Sequence, residues 1–387
     1  SMDKINIEKN FGSEIKKLMG LISTSGKECY IVGGAVRDFL LGNKDFIDVD
    51  LTTSLNVEVL IKIFKRNKIQ FDDRASRYNC LTIRSQKKNI QITSFRKDIR
   101  TFGRAADIEI IDNIGEDAKR RDFTINAFYC SLDGEIVDPL GNLKDVNNKE
   151  LNFIGDPETR ITEDYLRILR FFRFVAVLDL KHRNINLKHL PIIKKYVDHI
   201  NDLSNERVVA EIRKILLATF PSFALELMDK VNLYERVLGT YSKASLLNME
   251  KLESKHNLTP CLVRRLLALE IQPTIPLLFK KEKKYFNQLN DLLNFDYNPD
   301  YLGYKVGEKA SLDFFIIKAI RDRTTITTKD VEKIKNASKK VFPIRFSDVQ
   351  PFTKSLILTK EKINFMESFW IKSGFKASKD ELLGLIN

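Results

Sequence analysis

Cysteine is scarce in this chain, and its four copies, Cys29, Cys80, Cys130 and Cys261, are scattered without C-x-x-C spacing. Neither a structural zinc site nor a disulfide framework is expected from such a pattern, and a reducing compartment fits. No apolar run is long enough to span a bilayer and no signal-peptide pattern is present, so we expect a cytoplasmic protein with no membrane association. Ser1 before Met2 reads as a scar of tag cleavage. The four histidines, His182, His189, His199 and His256, form no His-Asp metal motif. Strand signals are missing too beyond Pro221, where apolar residues recur only at helical spacing and breaks fall near prolines.

What the chain does have is length and positive charge. At 387 residues and 43% hydrophobic content it can form two or more units with real cores. A net charge of +13 and a pI near 9.3 suggest a polyanionic partner such as nucleic acid, or the lysine bias of an AT-rich genome. From Lys280 to the end there are 21 Lys+Arg against 14 Asp+Glu, a net +7. No obligatory protein partner is evident.

The most informative stretch runs from Ile31 to Thr53, IVGGAVRDFLLGNKDFIDVDLTT. A β-branched pair, then Gly33-Gly34, then helix-forming residues from Ala35 to Leu41 spell strand, glycine turn and helix. That order leaves backbone N–H groups open to an anion such as a triphosphate, and Arg37 adds charge nearby. Asp48-Val49-Asp50 reads as a strand whose period of two sets both carboxylates on one face. Paired hard carboxylates suit Mg²⁺, and two-metal phosphoryl transfer needs them. Each feature alone is also an ordinary turn or an ordinary surface pair.

Together, GGAVRD and DVDLTT resemble the signature of the DNA polymerase β-like nucleotidyltransferases. They are similar in particular to class II tRNA nucleotidyltransferases (CCA-adding enzymes) and their bacterial poly(A) polymerase relatives. The resemblance implies an α+β fold: a head with a small mixed sheet over residues 1–150, a helical neck over 151–220 and an all-α body and tail over 221–387. It also implies that Asp48 and Asp50 are the catalytic metal ligands, and that Gly33, Gly34 and Arg37 belong to the nucleotide site. Where the superfamily often supplies a third acidic ligand, this chain has Gln91.

From Phe95 to Asp112 the sequence reads as a flexible loop. Its Arg96, Asp98 and Arg104 resemble the family loop associated with switching from C to A addition. The segment from Lys119 to Ala127 reads as a helix start with Asp122 and Asn126 on one face. Its likeness to RRDxxxN implies that Arg121, Asp122 and Asn126 hold triphosphate and ribose.

Further on, Thr162 reads as the N-cap of a strong helix carrying EDYLRILRFFRF, with Asp164 and Arg167 side by side. On spacing alone the two form a surface ion pair. An aspartate accepting from an exocyclic amino group and an arginine donating to the adjacent ring nitrogen would instead fit cytosine and adenine, while uracil and guanine present the opposite order. The resemblance to EDxxR implies that role for Asp164 and Arg167, with Glu163 orienting Arg167 and with Arg170 and Arg173 on phosphates. SNERVVAE, from Ser204 to Glu211, resembles a buttressing helix.

The expectation is therefore template-independent addition of CCA to tRNA from CTP and ATP with two Mg²⁺ ions. The alternatives are a poly(A) polymerase or A-adding enzyme, and an RNA-binding protein on an inactive head.

Overall fold

Alternating burial along short β-branched segments builds a sheet in the first part of the chain. The computed structural model describes residues 4–85, 87–102, 105–110 and 113–387, with the backbone alone over 96–102 and 105–110. Two compact units result, Ser1–Tyr234 and Glu235–Asn387.

The first unit opens with α1 (Ile7–Phe11) and α2 (Ser13–Ser23). The sequence suggests one helix here, but Gly12 at φ +98° separates two. Then come β1 (Cys29–Val32), α3 (Gly34–Leu40), β2 (Asp48–Thr53) and α4 (Val57–Arg66), the last capped by the Asn56 side chain on the Val59 N–H. β3 (Cys80–Arg84) and β4 (Asn89–Ser94) form the expected antiparallel pair, and β4 runs parallel to β2.

The stretch read as a flexible loop is instead an antiparallel ribbon of β5 (Arg96–Phe102) and β6 (Ala105–Ile110), with a register shift between Asp98 and Arg100. Its polar, glycine-containing composition hid the pairing, because a two-stranded ribbon satisfies its backbone without needing a continuous apolar face. Arg104 lies outside the described residues.

After α5 (Ile114–Lys119), β7 (Tyr129–Cys130) and β8 (Ile136–Val137) complete a mixed sheet of order β3-β4-β2-β1-β7-β8. Val49, Leu51, Leu81, Ile83, Ile90 and Ile92 are buried on one face. Asp48, Asp50, Asn89, Gln91 and Arg84 are exposed on the other.

From there the unit is helical: α6 (Leu143–Asn147), α7 (Pro157–Glu163), α8 (Leu166–Val177), α9 (His189–Tyr196), α10 (Asn205–Leu216) and α11 (Ser222–Lys230). α8 is the hub, packed against α10 and α11 with Ile168, Leu169, Phe171, Phe172 and Val175 buried. Burying such side chains stabilises by about 1.5–3 kcal/mol each relative to exposure.

The second unit is helical among its described residues, from α12 (Tyr234–Leu238), α13 (Leu246–Lys255), α14 (Leu262–Ala268) and α15 (Lys280–Leu292) through α16 (Pro299–Val306), α17 (Glu308–Asp322), α18 (Thr328–Ser338), α19 (Phe346–Val349), α20 (Leu356–Lys372) and α21 (Lys379–Gly384). Two arginines of α14 are buried and answered by carboxylates: Arg264 Nη1 lies 3.0 Å from Asp313 Oδ1 and Arg265 Nη2 2.8 Å from Glu253 Oε1. No helix among the described residues is long and apolar enough to cross a membrane, and all four cysteines are free.

Candidate active site

Gly33 sits between β1 and α3 at φ +77°, a conformation that glycine adopts without strain. The first amides of α3 have no intrahelical acceptor and face a cleft of about 1360 Å³ bordered by Gly33 and Gly34. Arg37 is buried, and its guanidinium does more structural work than the sequence suggests. Nη1 donates to Asn126 Oδ1 at 2.6 Å, Nε donates to Asp38 Oδ1 at 3.0 Å, and Cζ stands 5.2 Å from the Phe174 ring centre. Arg37 therefore ties the glycine turn to the Asn126 segment.

Asp48 and Asp50 share the open face of β2, with Val49 buried between them, as the period of two requires. Asp48 Oδ1 accepts from Asn89 Nδ2 at 3.2 Å. Asp50 opens to the cleft but is enclosed by protein; that burial pushes its carboxyl up, Asp48 adds to the effect, and Arg121 and Arg170 oppose it. Two carboxylates this close favour a cation. In the parallel ladder Gln91 lies directly beside Asp50, so its amide is the neighbouring group where a third carboxylate is absent.

The Arg-Arg-Asp segment is not a helix start. α5 ends at Lys119, Phe123 bridges to Phe153, and a single 3₁₀ turn spans Thr124–Asn126. The local charge pattern resembles a helix terminus because it is one, but of the helix that ends there. Asp122 and Asn126 still meet: Asn126 Nδ2 donates to Asp122 Oδ1 at 3.2 Å. Arg170 Nε donates to Asp122 Oδ2 at 2.6 Å. Burial alone would raise the Asp122 carboxyl, but the Arg170 charge and the bonds from Asn126, Arg170 and the Phe123 N–H hold it down at about 2. Arg121 is fixed by buried Asp117, Nη2 to Oδ2 3.1 Å, and by Tyr129, whose hydroxyl donates to the same oxygen at 2.6 Å.

The neck differs most from expectation. Asp156, with Pro157 after it, caps α7, and Thr162 lies inside that helix rather than at its start. The chain breaks at Asp164-Tyr165 before α8 begins, so Asp164 and Arg167 are not on one continuous helix. Nor do their side chains pair. Asp164 Oδ1 accepts the Leu166 N–H at 3.1 Å and Oδ2 accepts from Arg207 Nη2 at 2.7 Å. Arg167 Nη1 donates to Glu163 Oε2 and to the Arg160 carbonyl, both at 2.8 Å, and Nη2 to the Arg120 carbonyl at 3.1 Å. Each is thus held by other groups. Two of the five Arg167 N–H groups and part of the Asp164 acceptor capacity remain for a ligand.

Arg170 and Arg173 follow on α8 and share Glu211 of α10, at 3.9 and 2.6 Å. Burial, with Arg170 beside it, pushes the Arg173 guanidinium down to about 10. The Phe174 ring lies under both guanidinium groups, 5.6 and 4.5 Å away.

One cleft is bordered by Gly33, Gly34, Arg37, Asp48, Asp50, Arg121, Asp122, Asn126, Asp164, Arg167, Arg170 and Arg173. Glu163 stands behind Arg167. Arg96 and Asp98 lie on β5. Sequence reasoning missed Arg207 and Lys214, which also border the cleft. Arg207 belongs to the SNERVVAE segment, read as a buttress alone; its partner Asp164 is remote in sequence, and only a neighbouring unpaired acid in a helical neck could have hinted at it.

Paired aspartates, a glycine turn and arginines around one cleft suit one class of protein, a nucleotidyltransferase with a polymerase-type head. Residues 29–152 match the family described as the poly A polymerase head domain, and residues 188–243 match that described as the probable RNA and SrmB-binding site of polymerase A. Among curated relatives, the mitochondrial CCA tRNA nucleotidyltransferase 1 of Homo sapiens is 29% identical over 97% of this chain and 90% of its own length. The CCA-adding enzyme of Bacillus subtilis (strain 168) is 28% identical over 92% and 90%. The match to the Mus musculus enzyme is 34% identical but spans 53% of this chain and 48% of that one. The fold is shared with the Bacillus stearothermophilus CCA-adding enzyme in complex with CTP, at TM-score 0.72 and 21% identity over 96% of this chain and 94% of that one. The first part of the chain is thus similar to poly A polymerase heads, and the chain along most of its length is similar to CCA-adding enzymes.

Proposed function

We propose that this protein adds CCA to the 3′ end of tRNA from CTP and ATP, without a template and with release of pyrophosphate. The observation that carries the reading is that a generic transfer site, Asp48 and Asp50, shares one cleft with a base-selective pair, Asp164 and Arg167. The relatives named as CCA-adding enzymes support it.

The donor set fits Mg²⁺, which takes one or two carboxylates and leaves its other positions to water and phosphate. Asp48 and Asp50 would hold the metal, with the Gln91 amide beside them, and among the described residues no third His, Cys, Asp or Glu joins them. When bound, two Mg²⁺ ions supply the charge that activates the 3′-hydroxyl and balances the triphosphate.

The chain's own residues do the rest. Amides of the glycine turn and the guanidinium groups of Arg121, Arg170 and Arg173 hold the triphosphate, while Asp122 and Asn126, themselves bonded, face the ribose. Asp164 accepts from the base amino group and Arg167 donates to the ring nitrogen. Uracil or guanine would set acceptor against acceptor and donor against donor at their remaining positions, at a cost of about 1–3 kcal/mol for each mismatch. Attack on the α-phosphorus is in line, the new O–P bond forming as the bond to pyrophosphate breaks. The change from C to A is assigned to Arg96 and Asp98 of β5 and to Arg104. Four free thiols favour a reducing compartment, the cytoplasm.

A tRNA transcript ending at the discriminator base, supplied with CTP and ATP singly and together, tests the reading. Growth by three residues only when both are present is expected. Long A tracts would identify a poly(A) polymerase instead, and no incorporation with Mg²⁺ present would exclude transfer altogether.

A further inference from the structure

The two sides of the aspartate strand carry different chemistry. Toward β1 lie the glycine turn and arginines already held by carboxylates: Arg121 by Asp117, Arg170 by Asp122 and Arg173 by Glu211. Toward β4 and β3 the open face continues in two cross-strand rows, Asp50 beside Gln91 and Thr82, and Asp48 beside Asn89 and Arg84. Burial alternates along both strands, so these side chains face the same cleft. The Arg84 side chain is exposed and makes no hydrogen bond or close ion pair among the described residues, although its charge helps hold the Asp72 carboxyl down. The carboxylate nearest to hand, Asp72, is occupied by Arg74, whose Nε lies 3.0 and 2.8 Å from its two oxygens.

In-line transfer sets the attacking and leaving oxygens on opposite sides of the phosphorus. With the triphosphate on the glycine turn, the attacking strand comes over β4 and β3. Adjacent strands are about 4.8 Å apart, so Arg84 starts roughly 10 Å from Asp48, within reach of a group one nucleotide back from the attacking hydroxyl. We propose that Arg84 binds the last phosphodiester of the RNA being extended, with Asn89 and Gln91 beside the terminal ribose. This rests on the transfer reading above and assigns the strand side of that same cleft. An arginine with no hydrogen-bonded carboxylate presents its donor fork to phosphate, which its counterparts on the nucleotide side do only in part.

The test compares wild type, Arg84→Ala and Arg84→Lys on tRNA lacking CCA, and on the same tRNA with an uncharged methylphosphonate at its last linkage. Wild-type incorporation on the natural substrate first establishes the transfer reading by itself. For Arg84→Ala the KM for tRNA should rise about tenfold or more while CTP binding stays within twofold, and Arg84→Lys should recover much of the loss. The methylphosphonate should penalise wild type about tenfold and Arg84→Ala hardly at all, because the partner is already gone. An unchanged KM for tRNA in Arg84→Ala, or an equal methylphosphonate penalty in both proteins, overturns the proposal while leaving transfer intact. A change in CTP binding in place of tRNA binding overturns it as well.

Discussion

Asp50 shows how function and stability pull apart at a single residue. Its raised carboxyl pKa, caused by burial and then by Asp48, means that the folded protein binds the proton more tightly than the unfolded chain does. Without a divalent cation, that contribution favours folding at low pH and is lost as pH rises through the raised value; at neutral pH the ionised group is a cost. Asp50→Asn should therefore raise the melting temperature in EDTA at pH 7, by a small amount because the carboxylate opens to water in the cleft, and the gain should shrink toward pH 4. Incorporation of CTP and ATP should be abolished. A lower melting temperature under those conditions would contradict the electrostatic reading. The aspartate pair was legible in the sequence because a period of two is a local property of a strand. Arg207 was not, because its meaning depends on Asp164, which reaches it only through the packing of α10 on α8.

Elements were legible where one pattern decided them and obscure where distant partners did. The strands β3 and β4 follow from alternation, and α8 from its apolar content. The break before α8 could not be read, since E-D-Y-L-R has helical composition and the interruption is held by bonds from Arg207 to Asp164 and from Arg167 to the Arg120 carbonyl. The β5–β6 ribbon was hidden for the converse reason, a polar composition that suits a loop as well as a pair of strands. The α8–α10 contact carries its own expectation. Glu211 lies between Arg170 and Arg173, so Glu211→Gln should loosen both and raise the KM for CTP and ATP alike by about tenfold. Steady-state kinetics with each nucleotide checks it; a changed preference between nucleotides at constant KM would place Glu211 elsewhere in the account.

Over the whole molecule, composition announced a helical second half and a polyanionic partner. The structure gives a second unit of helices in which buried Arg264 and Arg265 are answered by Asp313 and Glu253. With net +13 on the chain, tRNA affinity should fall by about a hundredfold or more between 50 and 200 mM salt, with CTP affinity much less affected. Filter binding across that range decides the matter, and a salt-independent tRNA affinity would remove the electrostatic part of the account.

The central claim is that fixed side chains, not a template, choose the base. In the proposed function the glycine turn with Asp48 and Asp50 is the generic half of the site, and the choice of nucleotide is assigned to Asp164 and Arg167. The direct measurement is the ratio of kcat/KM for CTP over UTP in wild type and in Asp164→Ala. The account predicts strong rejection of UTP by wild type and at least a tenfold loss of that discrimination in the variant, about the worth of one mismatched hydrogen-bonding group. Discrimination against UTP that is unchanged in Asp164→Ala would contradict it.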